Sequence, residues 1–140
     1  MRLAPVLLAG ALALAGCGKS DKPSADAPDT AAAPEAVIEP TAAMGEQVFK
    51  RCVACHTVDK GGANGIGPNL HGIVGRAVAS HEGFNYSSAM KAHGGVWDDA
   101  ALDAYLTSPA KAIPGNRMTF FGIADPADRK ALILYLDAQK

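Results

Sequence analysis

The sequence predicts an all-α fold, a small helical domain threaded with Gly- and Pro-rich loops, and three observations point to it. Apolar side chains recur at i, i+3 and i+4 in the C-terminal half, as Leu102, Tyr105 and Leu106 and again as Leu132, Tyr135 and Leu136. Helix-starting residues stand just ahead of both runs: Asp98 before the first, Asp125 with Pro126 before the second. Between the runs, no segment alternates apolar and polar side chains as a half-buried strand would.

Residues 1–16 read as an export signal. Arg2 gives a minimal positive start, and Leu3 to Leu14 is almost wholly apolar but shorter than the ~20 residues that span a bilayer. The stretch ends in Leu14-Ala15-Gly16-Cys17, which resembles a bacterial lipoprotein signal peptide, cut before a cysteine that is then lipidated. A plain secretory signal is the alternative, leaving Cys17 discarded or as an exposed thiol. Residues 17–42 form the expected lipidated Cys17 and an Ala/Pro/Asp tether. Pro23, Pro28, Pro34 and Pro40 interrupt any helix, almost no bulky apolar side chain is present, and the charges sum to −3. Such a segment cannot bury a core and is expected to be disordered. About 25 flexible residues span ~25–30 Å, enough to let a domain swing near a membrane surface.

Residues 43–140 are the expected folded domain, large enough to fold alone. Met44, Val48 and Cys52 share one face of a first helix, Tyr86 to Lys91 suits a short helix, the Asp98 helix ends before Pro109, and the Asp125–Pro126 helix closes the chain. From Met44 onward there are 10 basic and 9 acidic side chains, and the whole chain has a formal net charge of −1, so no nucleic-acid-binding footprint is visible.

The run Cys52-Val53-Ala54-Cys55-His56 carries the chemistry. Two thiols three apart, with a histidine directly after, read as a c-type haem attachment site. Each sulfur adds to one vinyl group of the porphyrin, so both must lie along one edge of the ring, and His56 can then offer a nitrogen to the iron. A second ligand should be a soft neutral donor on the opposite face. Of four methionines, Met1 leaves with the signal, Met44 lies on the first helix, Met90 in a short segment, and Met118 in the loop Ile113-Pro114-Gly115-Asn116-Arg117-Met118-Thr119-Phe120. A loop can aim a thioether at an iron. His71, His81 and His93 are candidate ligands by type only. A structural zinc site would need four N or S ligands, which one cysteine pair and scattered histidines supply poorly.

The chain from Gly45 to Lys140 resembles class I cytochromes c, near the mitochondrial and bacterial c2 type. The resemblance rests on Cys52–His56, Gly67-Pro68-Asn69-Leu70-His71-Gly72, Gly75-Arg76, Phe84-Asn85-Tyr86-Ser87, Trp97, Tyr105-Leu106, Pro114-Gly115-Asn116-Arg117-Met118 and the final Leu132–Leu136 helix, in that order. It implies a cytochrome c fold, helices and loops wrapped around one covalent haem c. Cys52 and Cys55 would carry the thioether bonds, and His56 and Met118 would be the axial ligands. The Pro68 carbonyl would accept from the other nitrogen of His56. Arg76, Tyr86 and Trp97 match positions that hydrogen-bond a propionate, as does Asn116, where the family often has threonine. Tyr105 matches a tyrosine beside the methionine sulfur. Met90 replaces a frequent asparagine near the haem.

Two closed axial positions disfavour oxygen chemistry, and a thioether raises the potential. The expected function is that of a monohaem one-electron carrier rather than an enzyme, monomeric and lipid-anchored on the periplasmic side, with the inner membrane preferred over the outer. By resemblance it takes electrons from a bc1-type complex and passes them to a terminal oxidase or another periplasmic acceptor. Lys50, Arg51, Lys60, Lys91, Lys111 and Arg117 form a thin basic ring, so steering by charge should be modest. Two other readings stay open at this point: a haem enzyme with a labile sixth ligand, such as a weak peroxidase, and a structural lipoprotein with a Cys52–Cys55 disulfide.

Overall fold

The computed structural model describes residues 38–140. The expected signal peptide, Cys17 and most of the tether lie outside the described residues. Among the described residues five helices follow one another: α1 (Ala42–Phe49), α2 (Ser88–His93), α3 (Asp99–Thr107), α4 (Pro109–Ala112) and α5 (Pro126–Asp137). Among the described residues, extended pairing is limited to one antiparallel bridge, Ala77 with Val96.

Each longer helix starts where a side chain can satisfy a free backbone N–H. Thr41 accepts from the Met44 amide at 3.3 Å, Ser87 from Met90 at 3.1 Å, Asp98 from Ala101 at 2.8 Å and Asp125 from Ala127 at 2.7 Å. Pro126 stands at the first turn of α5, where its missing N–H costs nothing.

Three expectations need correction. The first helix ends at Phe49 and does not run on to Cys52; the chain tightens into turns, with the Cys52 amide on the Phe49 carbonyl at 2.7 Å and the Cys55 and His56 amides both on the Cys52 carbonyl. Its buried face is Gly45, Val48 and Phe49, whereas Met44 is exposed. The short helix begins at Ser88 and not at Tyr86, because Ser87 caps it and leaves Tyr86 in the preceding loop. The four-residue α4, started by Pro109, was not anticipated.

Helices α1 and α5 cross in close contact, and α3 lies against α5. The crossing is possible because residue 45 has no side chain: a Cβ there would come within 2.0 Å of the Ala131 carbonyl oxygen. Leu132, Ile133 and Leu136 of α5 join Leu102, Tyr105 and Leu106 of α3 in the core, together with Val48, Phe49, Ile113 and Ile123. The loops are tied down by backbone bonds. Trp97 and Arg76 are brought side by side by Trp97 N–H donating to the Arg76 carbonyl at 2.9 Å, flanked by Gly75 N–H on the Trp97 carbonyl.

One buried charge braces this core. Arg129, 9% exposed, donates from Nε to Asp103 Oδ1 at 2.6 Å and from Nη1 to the Ile123 and Ala124 carbonyls at 2.9 Å each. It thereby ties α5 to α3 and to the segment after Met118. Replacing Arg129 by alanine strands an inward-facing carbonyl and unpairs Asp103. Asp103 is partly exposed, so the expected loss is about 2–3 kcal/mol, below the usual range for breaking a buried pair. Urea unfolding of the variant beside the parent protein checks it.

Candidate functional site: an apolar cavity lined by Cys52, Cys55, His56 and Met118

The helices and loops enclose a cavity of about 570 Å³, within the range of small-molecule and cofactor sites. Its walls are mainly apolar, from Leu70, Ile73, Met90, Leu102, Phe120 and Leu132 among others. Cys52, Cys55, His56, Pro68, Tyr86, Trp97, Tyr105 and Met118 all line it.

The turn after α1 places Cys52 and Cys55 on one side of the cavity, both as free thiols. Burial pushes the Cys52 thiol up to about 11, with Arg51 pulling it down less strongly and Cys55 adding to the rise. Cys52 is therefore a neutral thiol near pH 7, which argues against a redox-active thiolate. Among the described residues no group of three or more His, Cys, Asp or Glu gathers as a metal-binding cluster.

His56 is held by its outer nitrogen. Nδ1 lies 2.7 Å from the Pro68 carbonyl oxygen. A carbonyl only accepts, so Nδ1 carries the proton and Nε2 keeps its lone pair free. Burial pushes the imidazole below its ordinary value, the Pro68 bond working weakly in the opposite sense. Burial, the larger of the two, favours the neutral ring that a metal ligand requires. The loop that supplies Pro68 is fixed by Asn69, 2% exposed, which donates to Thr57 Oγ1 at 2.7 Å and to the Asp59 carbonyl at 3.0 Å. Gly67 lies flat against the ring: a Cβ there would sit 2.2 Å from His56 Cε1.

Met118 is approached from α3. The Tyr105 hydroxyl donates to Met118 Sδ at 3.8 Å, and the Tyr105 ring leans on Trp97 with centroids 4.9 Å apart. Burial pushes the Tyr105 hydroxyl from 10.0 up to about 12, so it keeps its proton and can donate. A raised folded-state value means that this residue's contribution to stability is intact below about pH 10 and is lost as pH climbs toward 12. Tyr105→Phe is expected to flatten that alkaline decline while costing less than about 1 kcal/mol near neutral pH. Denaturant midpoints at neutral pH and above pH 10 measure both.

Arg76 and Asn116 fall outside the cavity lining. Arg76 donates to the His71 and Asn69 carbonyls at 3.1 and 3.2 Å and meets His81 Nδ1 at 3.3 Å. Its Nε is buried with no partner, and Tyr86, which does line the cavity, is close enough to interact with its charge. Such an orphaned donor costs free energy unless an acidic group completes it, so its position fits a propionate. Asn116 departs from the expectation. Both of its amide hydrogens are used on backbone carbonyls, at 2.7 Å on Pro109 and 2.8 Å on Ile113, leaving no donor for a propionate. Met90, 8% exposed, lines the cavity as an apolar wall. His71, His81 and His93 do not line it. The residues fit a haem: two thiols on one side, a neutral imidazole and a thioether as soft donors, an apolar enclosure, and an unmet cationic donor where an acid would lie.

Comparisons with known proteins agree with the geometry. A family profile described as cytochrome c matches residues 42–140. The cytochrome c-type cyt cy of Rhodobacter capsulatus is 48% identical over 103 residues, which is 73% of this chain and 51% of that protein, so the match spans about half of its length. Cytochrome c2 of Rhodomicrobium vannielii is 46% identical over 95 residues, 68% of this chain and 76% of that one. Among solved structures, cytochrome cH from Methylobacterium extorquens aligns with a TM-score of 0.66 at 41% identity, covering 70% of this chain and 98% of that one.

Proposed function

The chain belongs to the cytochrome c family, electron carriers with one covalent haem c, and from that premise we propose that it shuttles single electrons in a bacterial respiratory or photosynthetic chain. Its donor is a bc1-type complex and its acceptor a terminal oxidase or another periplasmic redox protein. It works as a monomer on the periplasmic side, held at the membrane through lipid on Cys17, with the inner membrane favoured. The observation that carries the reading is that one apolar cavity is lined both by a neutral His56 fixed by Pro68 and by a Met118 whose sulfur accepts from Tyr105.

Cys52 and Cys55 would hold the haem through thioether bonds, and His56 Nε2 and Met118 Sδ would be the side-chain atoms offered to its iron. When bound, the iron supplies a one-electron couple. The chain's own part is to keep that site constant in shape. Pro68 stops rotation of His56, Tyr105 restrains the sulfur, and the apolar walls exclude water, so little has to move when charge changes. The thioether favours the reduced form. Arg76 and Tyr86 stand ready for a propionate.

Docking should be brief and only weakly electrostatic. Arg51 and Arg117 are exposed at the cavity rim, beside Ile66, which is 81% exposed, while the wider surface carries nearly balanced charge. Among the described residues no helix is long and apolar enough to cross a membrane; the proposed attachment is the lipid on Cys17. A tether raises local concentration and offsets weak steering.

Stopped-flow oxidation of reduced bc1-type complex by the purified protein tests the proposal. Fast transfer that slows only mildly with added salt supports it. Failure to accept electrons from such complexes, with the haem intact, sinks the assignment of donor. Radiolabelled palmitate incorporation in the parent protein and in Cys17→Ser tests the anchor separately.

A further inference from the structure

Asn116 sits two residues before Met118, and its side chain closes the loop that presents the sulfur. Nδ2 donates to the Pro109 carbonyl at 2.7 Å and to the Ile113 carbonyl at 2.8 Å, and Oδ1 accepts from the Met118 backbone N–H at 2.8 Å. Both donors and one acceptor site of the amide are thus occupied. The carbonyls it engages stand at the start of α4 and just past its end, and each also accepts a backbone N–H, Pro109 from Ile113 at 3.0 Å and Ile113 from Asn116 at 3.1 Å. Pro109 and Ile113 are themselves buried, Ile113 to 3% exposure. The Asn116 amide thus adds two side-chain bonds to the backbone bond that Asn116 N–H makes to Ile113, and together they reference the loop to the core.

Beyond Met118, the Ile123 amide bonds to the Leu106 carbonyl at 2.8 Å and Arg129 holds the Ile123 and Ala124 carbonyls. The Tyr105 hydroxyl reaches the sulfur itself. Met118 is thereby restrained at its own backbone by Asn116, at its sulfur by Tyr105, and downstream by α3 and α5. Of these restraints only Asn116 bonds to the backbone of Met118. Its saturated amide leaves it no donor with which to reach into the cavity, so it can act on the site only through Met118.

We propose that Asn116 is the positioning residue that sets how readily the Met118 sulfur leaves the iron. The proposal rests on Met118 being an iron ligand. An added ligand such as imidazole binds only when the sulfur is off, so its apparent affinity scales with the fraction of open loop. Loosening the loop raises that fraction and tightens apparent binding.

The test is imidazole titration of the oxidised, full-length holoprotein, followed by the weak sulfur–iron band at the red edge of the visible spectrum. Four proteins are compared: the parent, Asn116→Ala, Asn116→Asp and Thr41→Ala. Asn116→Asp keeps an acceptor for Met118 N–H but gives up both donated bonds. Thr41→Ala removes the α1 cap, a change to stability remote from the loop. Imidazole is expected to bind about tenfold more tightly to Asn116→Ala, also more tightly to Asn116→Asp, and equally to Thr41→Ala and the parent. Equal affinity in all four, with the band present in the parent, would overturn the role of Asn116, as would an equal gain in Thr41→Ala. A parent protein lacking the band would instead overturn the Met118 assignment. If Asn116→Ala fails to retain haem, Asn116→Asp carries the comparison.

Discussion

Met118→Ala should produce a protein that keeps its haem but loses its sulfur ligand. Cys52, Cys55 and His56 are untouched by the change, so covalent attachment and the imidazole bond are expected to remain. The oxidised variant should turn high-spin, bind azide or cyanide readily, and show higher peroxidase activity than the parent. Its potential should fall by about 0.1 V or more, a modest part of the roughly 0.8 V over which axial ligands tune haem. The direction follows from the chemistry of the thioether, which favours ferrous iron. The Tyr105 hydroxyl also loses its partner at 3.8 Å, a smaller cost. Optical spectra and a redox titration of parent and variant decide it. A variant with unchanged potential and spectrum would mean that another side chain, such as the nearby Met90, serves instead.

The largest effect on stability is expected at Gly45. A Cβ placed there would meet the Ala131 carbonyl oxygen at 2.0 Å and Tyr135 Cβ at 2.7 Å. Neither the α5 backbone nor a Cβ can swing aside, so α1 must withdraw from α5. Overpacking typically costs about 1–3 kcal/mol, and a contact this close against backbone belongs at the upper end, a large share of a typical domain stability of about 5–15 kcal/mol. For Gly45→Val we expect the urea midpoint to drop sharply and the yield of haem-loaded protein to fall, since the turn carrying Cys52 starts at the end of α1. Parent-like unfolding would show that the two helices do not rely on close approach.

These expectations divide between what could be read along the chain and what could not. Helices α3 and α5 were legible because local signals agree: Asp98 and Asp125 cap, and apolar residues follow at helical spacing. The end of α1 was not, since Cys52 continues the spacing of Met44 and Val48, yet the chain must turn to present two thiols. Ser87 was a legible cap whose effect on Tyr86 was missed. The Cys-His pentad and Met118 carry their chemistry in their residue types, and the structure gathers them around one cavity. Asn116 was read from a matching family position, whereas its role follows from which carbonyls lie within reach. Arg129 carries no local signal of burial; a charge on an amphipathic helix reads as solvent-facing until the Asp103 carboxylate and two carbonyls are seen around it. Long-range closure is what a one-dimensional pattern leaves out.

The central claim is that His56 and Met118 together hold one covalently attached haem. The most direct measurement is the visible spectrum of the full-length protein, expressed with haem-attachment machinery, in both redox states. The expected result is a sharp α-band on reduction, a weak sulfur–iron band at the red edge of the oxidised spectrum, and loss of that band in Met118→Ala alone. A high-spin oxidised spectrum without the band, or a colourless protein, would contradict it.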